Sequence, residues 1–127
     1  MKRGASTISS EELLTKGRIQ LELGNYDDAN NFFDLALKLN NDDAIAWAGK
    51  GVALVNLDRS EEALDCFDKA IIIDAKIAFA WEGKGVALMK LRRYGESIPF
   101  FDMALQISPD FKRASENRKL ALEKICR

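Results

Sequence analysis

Apolar residues recur at three- and four-residue intervals through most of the chain. Trp47, Gly51, Leu54 and Leu57 form one such stripe, and Ala63, Phe67, Ala70 and Ile73 form the next. That spacing gathers side chains on one face of an α-helix. The stripes are interrupted at Gly24-Asn25-Tyr26, Asp58-Arg59-Ser60 and Arg92-Arg93-Tyr94, and again at Asn40 to Asp43, Asp74 to Lys76 and Ser108-Pro109-Asp110. Breaks this short force consecutive helices to lie antiparallel. Ser9, three residues before Glu12, has the spacing of a capping box and announces the first helix.

The pattern also repeats. Laying residues 44–77 over residues 78–111 gives 16 identities in 34 positions, against roughly two expected by chance from ordinary composition. A shift back by the same period adds a third copy through Gly17, Gly51 and Gly85, Leu23, Leu57 and Leu91, Phe33, Phe67 and Phe101, and Ala36, Ala70 and Ala104. A shift forward places Ala114, Ala121, Leu122 and Ile125 on first-helix positions. The expected organisation is a flexible segment 1–9, repeats 10–43, 44–77 and 78–111, and a capping helix 112–127, one all-α domain of seven helices. Glycine inside a helix costs about 1 kcal/mol relative to alanine, so the three periodic glycines imply close approach of the paired helix, with Ala29, Ala63 and Ser97 expected opposite them. Lys119 holds the glycine's place in the last helix, which marks that helix as a cap.

Composition narrows the function. Nineteen basic and twenty acidic residues leave a net charge of −1, so no overall field favours nucleic acid or an anionic membrane. The short apolar runs and the polar start MKRGASTISS offer neither a membrane span nor a signal peptide, and a cytoplasmic location is expected. There is no histidine, which removes the commonest general base and transition-metal ligand. The pairs Glu11–Glu12, Asp27–Asp28, Asp42–Asp43 and Glu61–Glu62 fall at helix starts, where carboxylates oppose the helix dipole and cap free N–H groups rather than catalyse. Cys66 and Cys126 lack metal spacing, and both read as reduced thiols, Cys66 in the core. Ala48-Gly49-Lys50-Gly51 lies inside a helix, where its amides are already engaged, and is no phosphate loop. No catalytic residue, metal or cofactor is expected. Charge is uneven, with eight acidic and three basic residues in 11–43 and six basic against two acidic in 112–127.

The 34-residue period, with Trp47 and Trp81, the periodic glycines, Ala29 and Ala63, the phenylalanines, the alanines at 36, 70 and 104, and Pro109, resembles the tetratricopeptide repeat family from about Ser10 to Arg127. Departures are Leu13 for the opening tryptophan, Ser97 for alanine, and Asn41 and Ala75 where proline is usual. Pro99 removes one backbone donor early in the sixth helix and is expected to shift that helix's start. The resemblance implies a right-handed helical-repeat solenoid of antiparallel helix pairs whose first helices line a concave groove that binds peptides or helices. By that geometry Leu14, Arg18, Leu21 and Glu22, then Ile45, Ala48, Gly49, Val52, Val55 and Asn56, then Phe79, Glu82, Gly83, Val86, Met89 and Lys90 face the concavity. Family members that clamp chaperone tails carry lysine, asparagine and arginine where this chain has Leu14, Arg18, Gly49, Phe79 and Gly83, which argues against such a clamp. An apolar strip of Val52, Val55, Val86 and Met89, flanked by Arg18, Glu22, Glu82 and Lys90, suits an amphipathic helix or apolar peptide of a partner protein, unless curvature or residues 1–8 fill it. A monomeric, non-catalytic adaptor is expected. The alternative is an assembly piece that associates head to tail through its acidic and basic ends.

Overall fold

A computed structural model describes residues 7–126. Among them are seven α-helices: α1 (Ser10–Leu23), α2 (Tyr26–Leu39), α3 (Ala44–Asn56), α4 (Ser60–Ile73), α5 (Ala78–Lys90), α6 (Tyr94–Ile107) and α7 (Lys112–Ile125). The capping box forms as the sequence indicates: Glu12 N–H donates to Ser9 Oγ at 3.1 Å and Ser9 N–H to Glu12 Oε1 at 3.2 Å. Asp43 caps α3 by accepting from the Ala46 N–H at 3.2 Å. The indole N–H groups of Trp47 and Trp81 donate to the carbonyls of Asn41 and Ala75 at 2.8 and 2.7 Å, pinning the loops that precede α3 and α5. The residue that reverses the chain within each pair is left-handed, with φ of 79° at Gly24, 61° at Asp58 and 64° at Arg92.

Each helix packs on its neighbours in sequence, and α1 with α3, α3 with α5, and α5 with α7 also touch. Among the described residues no such contact joins α2 to α4 or α4 to α6. Helices that touch on one side of a stack and separate on the other make it bend, so α1, α3, α5 and α7 lie on the inside of the curve.

The core explains the glycines through the aromatic ring of each paired helix. A methyl group on Gly17 would stand 2.7 Å from the Phe33 ring, on Gly51 2.8 Å from Phe67, and on Gly85 2.6 Å from Phe101. The rings of Phe33, Phe67 and Phe101 are what lies nearest these places, and all three are fully buried, as are Ala29, Ala63 and Ser97. Two of the rings are also met from the following repeat: a methyl on Gly49 would stand 2.5 Å from the Phe33 Cζ, and Gly83 approaches Phe67 equally closely. Phe33 and Phe67 are therefore clasped between two backbones, one from each side of a repeat junction. A ladder of ion pairs crosses the same junctions: Lys50 Nζ to Asp34 at 2.6 Å, Lys84 to Asp68, and Arg118 Nε to Asp102 at 2.5 Å. Lys119 is exposed, in keeping with a cap.

Pro99 does not shift its helix. α6 begins at Tyr94, in step with Tyr26 and Ser60, and Pro99, its sixth residue, sits inside the helix with its ring exposed on the surface. Cys66 is buried and Cys126 exposed, and neither is paired. No helix of the described residues is long and apolar enough to cross a membrane. Residues 1–6, part of the segment considered as filling for the groove, lie outside the described residues.

Candidate functional site

The concave side divides into three kinds of surface. Val55, Ala48, Gly49, Gly83 and Glu82 are buried. Leu14, Leu21, Ile45, Val52, Phe79, Val86 and Met89 are half-buried, and Arg18, Glu22, Asn56 and Lys90 are exposed. The expected open strip is thus partly absorbed. Val52 and Phe79 pack against the central core around Phe67, Val86 bridges that core and the cluster around Phe101, and Met89 leans on the latter. Leu14 and Leu21 cover the Phe33 cluster at the other end. Gly49 and Gly83 face inward because a side chain there would strike the phenylalanine rings.

Part of the strip remains open. Val52, Val55, Asn56, Glu82 and Val86, joined by Phe67, Gly83, Arg113 and Asn117, line a cavity of about 270 Å³ between α3, α5 and α7. Leu14, Arg18, Leu21, Ile45, Phe79 and Met89 do not reach it. Lys90 instead borders a separate hollow with Asp58, Arg59, Glu61 and Glu62 at the turn after α3. A larger hollow of about 440 Å³ between α4, α5 and α6 is lined mainly by charged side chains, among them Glu61, Asp65, Asp68, Lys84, Arg93 and Glu96, and offers an apolar ligand little.

Glu82 departs most from expectation. Its side chain, expected as an exposed flanking charge, is 4% exposed and held by the capping helix. Arg113 donates from Nε at 3.0 Å and from Nη2 at 3.1 Å to the two carboxylate oxygens, and Asn117 Nδ2 donates at 3.1 Å. A carboxylate buried without such partners would be prohibitively costly. Arg113 and Asn117 were not among the expected groove residues, since α7 reads from sequence as a cap. The repeat register carried the signal: Arg113 stands one period after Phe79 and Asn117 one period after Gly83, both groove positions. With no glycine at 117, α7 turns a polar side chain into the cavity. Burial pushes the Cys66 thiol up to about 11, so it carries no reactive thiolate at neutral pH.

Seven helices in antiparallel succession, a 34-residue period and a groove lined by the first helix of each pair define a helical-repeat solenoid. The chain belongs to the tetratricopeptide repeat family, whose model matches residues 14–78 and 75–110. A sequence comparison with curated proteins gave no match. Among solved structures, the chain is similar to the Arabidopsis OM64 TPR domain at 30% identity and TM-score 0.83, covering 88% of this chain and 93% of that one. It also resembles the first TPR of Spaghetti (RPAP3), solved bound to the HSP90 peptide SRMEEVD, at 17% identity and TM-score 0.86, over 98% of this chain and 100% of that one. The TPR2B domain of yeast Sti1, in complex with pHsp70, matches at 19% identity and TM-score 0.83, over 91% and 97%. The last two likenesses establish the fold alone.

Proposed function

We propose that this chain is a non-catalytic adaptor that binds a helical segment of another protein along its concave side, seating a large apolar side chain between α3, α5 and α7. The observation that carries this reading is the 270 Å³ cavity walled by Val52, Val55, Phe67 and Val86, a mainly apolar hollow on the concave side. Sites of this kind, concave and apolar with a few placed polar groups, are the usual form of a binding pocket. That Spaghetti was solved with a peptide supports a peptide-like occupant. A chaperone tail is a poor candidate, because Gly49 and Gly83, at two of the clamp positions, are buried beneath phenylalanine rings. The lack of histidine supports a role without catalysis, metal or cofactor. The near-zero net charge favours a protein over nucleic acid or a membrane surface, in the cytoplasm.

Head-to-tail stacking in the repeat's own geometry is disfavoured at the first helix. Glu12 occupies the place of Ala46, Ala80 and Ala114, and Ile19 that of Ala53, Ala87 and Ala121, all of which are fully buried beneath a preceding helix. A preceding helix could not settle on Glu12 and Ile19 at the same distance, and we therefore assign a monomer. The test is backbone-amide NMR with a designed leucine-striped helical peptide. Shifts confined to α3, α5 and α7, and abolished by Asn56→Trp at the cavity's exposed rim, are expected. Shifts centred on α4 and α6, or none, refute the reading.

A further inference from the structure

Glu82, Arg113 and Asn117 form a polar cluster with no counterpart elsewhere in the array. The residues one period before Glu82 and Arg113 are Ala48 and Phe79, so the repeat itself does not require the cluster. Buried ion pairs contribute little net stability over apolar residues of similar size. The geometry of Arg113 suits a different purpose. Its side chain is 62% exposed although its carboxylate partner is 4% exposed, and its guanidinium lies 5.4 Å from the Phe111 ring. A forked bond to Glu82 on one edge and an aromatic ring beside it hold the guanidinium in one orientation at the cavity wall. Of its five N–H groups, two are bonded to Glu82. The other three remain for an acceptor outside.

Resting on the groove reading above, we infer that Arg113 is a specificity-determining residue: it selects a partner helix carrying a carboxylate one turn from the apolar side chain that enters the cavity. The cavity's own carboxylate is already matched by Arg113 and Asn117, so a partner's carboxylate meets donors rather than a bare anion. Because the guanidinium is fixed before binding, little rotamer entropy is lost when the second carboxylate arrives. A charge-assisted bond of this kind discriminates an acid from an isosteric amide. The site differs from a clamp for chain-terminal carboxylates, since the arginine comes from the capping helix and reads a side chain within a helix.

The experiment uses the full chain and three fluorescein-labelled designed helices with one leucine stripe, differing only in glutamate, glutamine or lysine one turn from the central leucine. Anisotropy should give an affinity for the glutamate helix about tenfold above the glutamine helix, with the lysine helix weaker still. The glutamate preference should disappear in Glu82→Ala/Arg113→Ala, which keeps the apolar walls, and persist in Lys90→Ala. Equal affinity for glutamate and glutamine helices, or a preference that survives the double variant, overturns the inference while leaving the groove standing. If none of the three binds, the groove reading itself fails and this inference fails with it. The glutamate-to-glutamine ratio on the unaltered chain decides the matter even if the double variant does not fold.

Discussion

Replacing Gly83 with alanine puts one methyl group into the tightest place in the array. That methyl would stand 2.5 Å from the Phe67 Cζ, where ordinary carbon contacts are 3.5–4.0 Å, so about 1 Å of movement is required. Phe67 cannot retreat freely: it is fully buried, and on the α3 side it meets Gly51, whose own added methyl would lie 2.8 Å from the ring. Overpacking a site closed on both sides belongs at the upper end of its range, about 3 kcal/mol. Against this, alanine is better than glycine inside a helix by about 1 kcal/mol. The net expectation is a loss of about 2 kcal/mol, read as a lower urea midpoint at unchanged slope. Shrinking the ring should relieve the clash, so Phe67→Leu and Gly83→Ala together should be less harmful than the sum of the single changes by 1 kcal/mol or more. Gly95→Ala supplies the contrast, since nothing lies within 4 Å of its added methyl, and it should be neutral or mildly stabilising. If Gly83→Ala matched Gly95→Ala, or its cost simply added to that of Phe67→Leu, the clasp would not be what holds α4 against α5.

The same register makes Gly51→Leu destabilising by 2 kcal/mol or more, while Lys119→Leu, at the equivalent exposed place in α7, should move stability by less than about 0.5 kcal/mol; parallel thermal melts check the pair. Arg92 is held at φ 64°, a conformation that is unfavourable by 1–2 kcal/mol for a residue with a side chain, so Arg92→Gly should raise the melting temperature despite the added freedom of the unfolded chain. With its thiol pushed up to about 11 by burial, Cys66 should resist alkylation at pH 8 under conditions that label Cys126, as mass spectrometry of digests would show. The folded thiol stays neutral while the unfolded one ionises near its ordinary value of about 9. The contribution is therefore complete below pH 9 and declines as pH rises toward 11. Cys66→Ala should flatten that part of the pH–stability curve.

Helix positions were legible because two periods act together: the three-to-four-residue apolar spacing makes each helix, and the 34-residue period fixes where each begins. The capping role was legible for two of the four acidic pairs, since Asp43 and Glu12 make cap bonds at the first turn beside them, whereas α2 and α4 start without a side-chain cap bond and Glu62 accepts from Arg59. What the periodic glycines face was harder to read. Glycine opposite alanine is the simplest way to bring two backbones together, but the large ring of Phe67 reaches across from α4 and uses the space itself. The groove was harder again. Alternation predicts which side of α3 and α5 turns inward, but the depth at which Val55 sits, 5% exposed, depends on how sharply the stack bends. Glu82 reads from sequence as a flanking charge because a lone glutamate on a helix is nearly always solvated. Its partners lie 31 and 35 residues away, on a helix whose groove positions follow from the repeat register.

The Glu82–Arg113 pair also permits a test of whether it serves recognition or stability. Arg113→Ala leaves a carboxylate 4% exposed with only the Asn117 amide as donor. Unpairing a buried charge costs 3–5 kcal/mol in closed interiors. Here Arg113 is itself 62% exposed, so water replaces it in part, and about 2 kcal/mol is expected. Glu82→Ala should cost much less, because the arginine it frees returns to solvent and alanine is what the preceding repeat holds at this place, as Ala48. Removing both should bring stability back to within about 0.5 kcal/mol of the original chain. Urea titrations of the three variants measure this asymmetry directly. Equal costs for the two single changes, or a double variant as unstable as Arg113→Ala, would mean that the pair holds α7 onto α5. The inference that it exists to orient an arginine toward a partner would then lose its energetic basis. The predicted pattern, one harmful single change and one nearly silent one that cancels it, is what a pair retained for recognition rather than for stability should show.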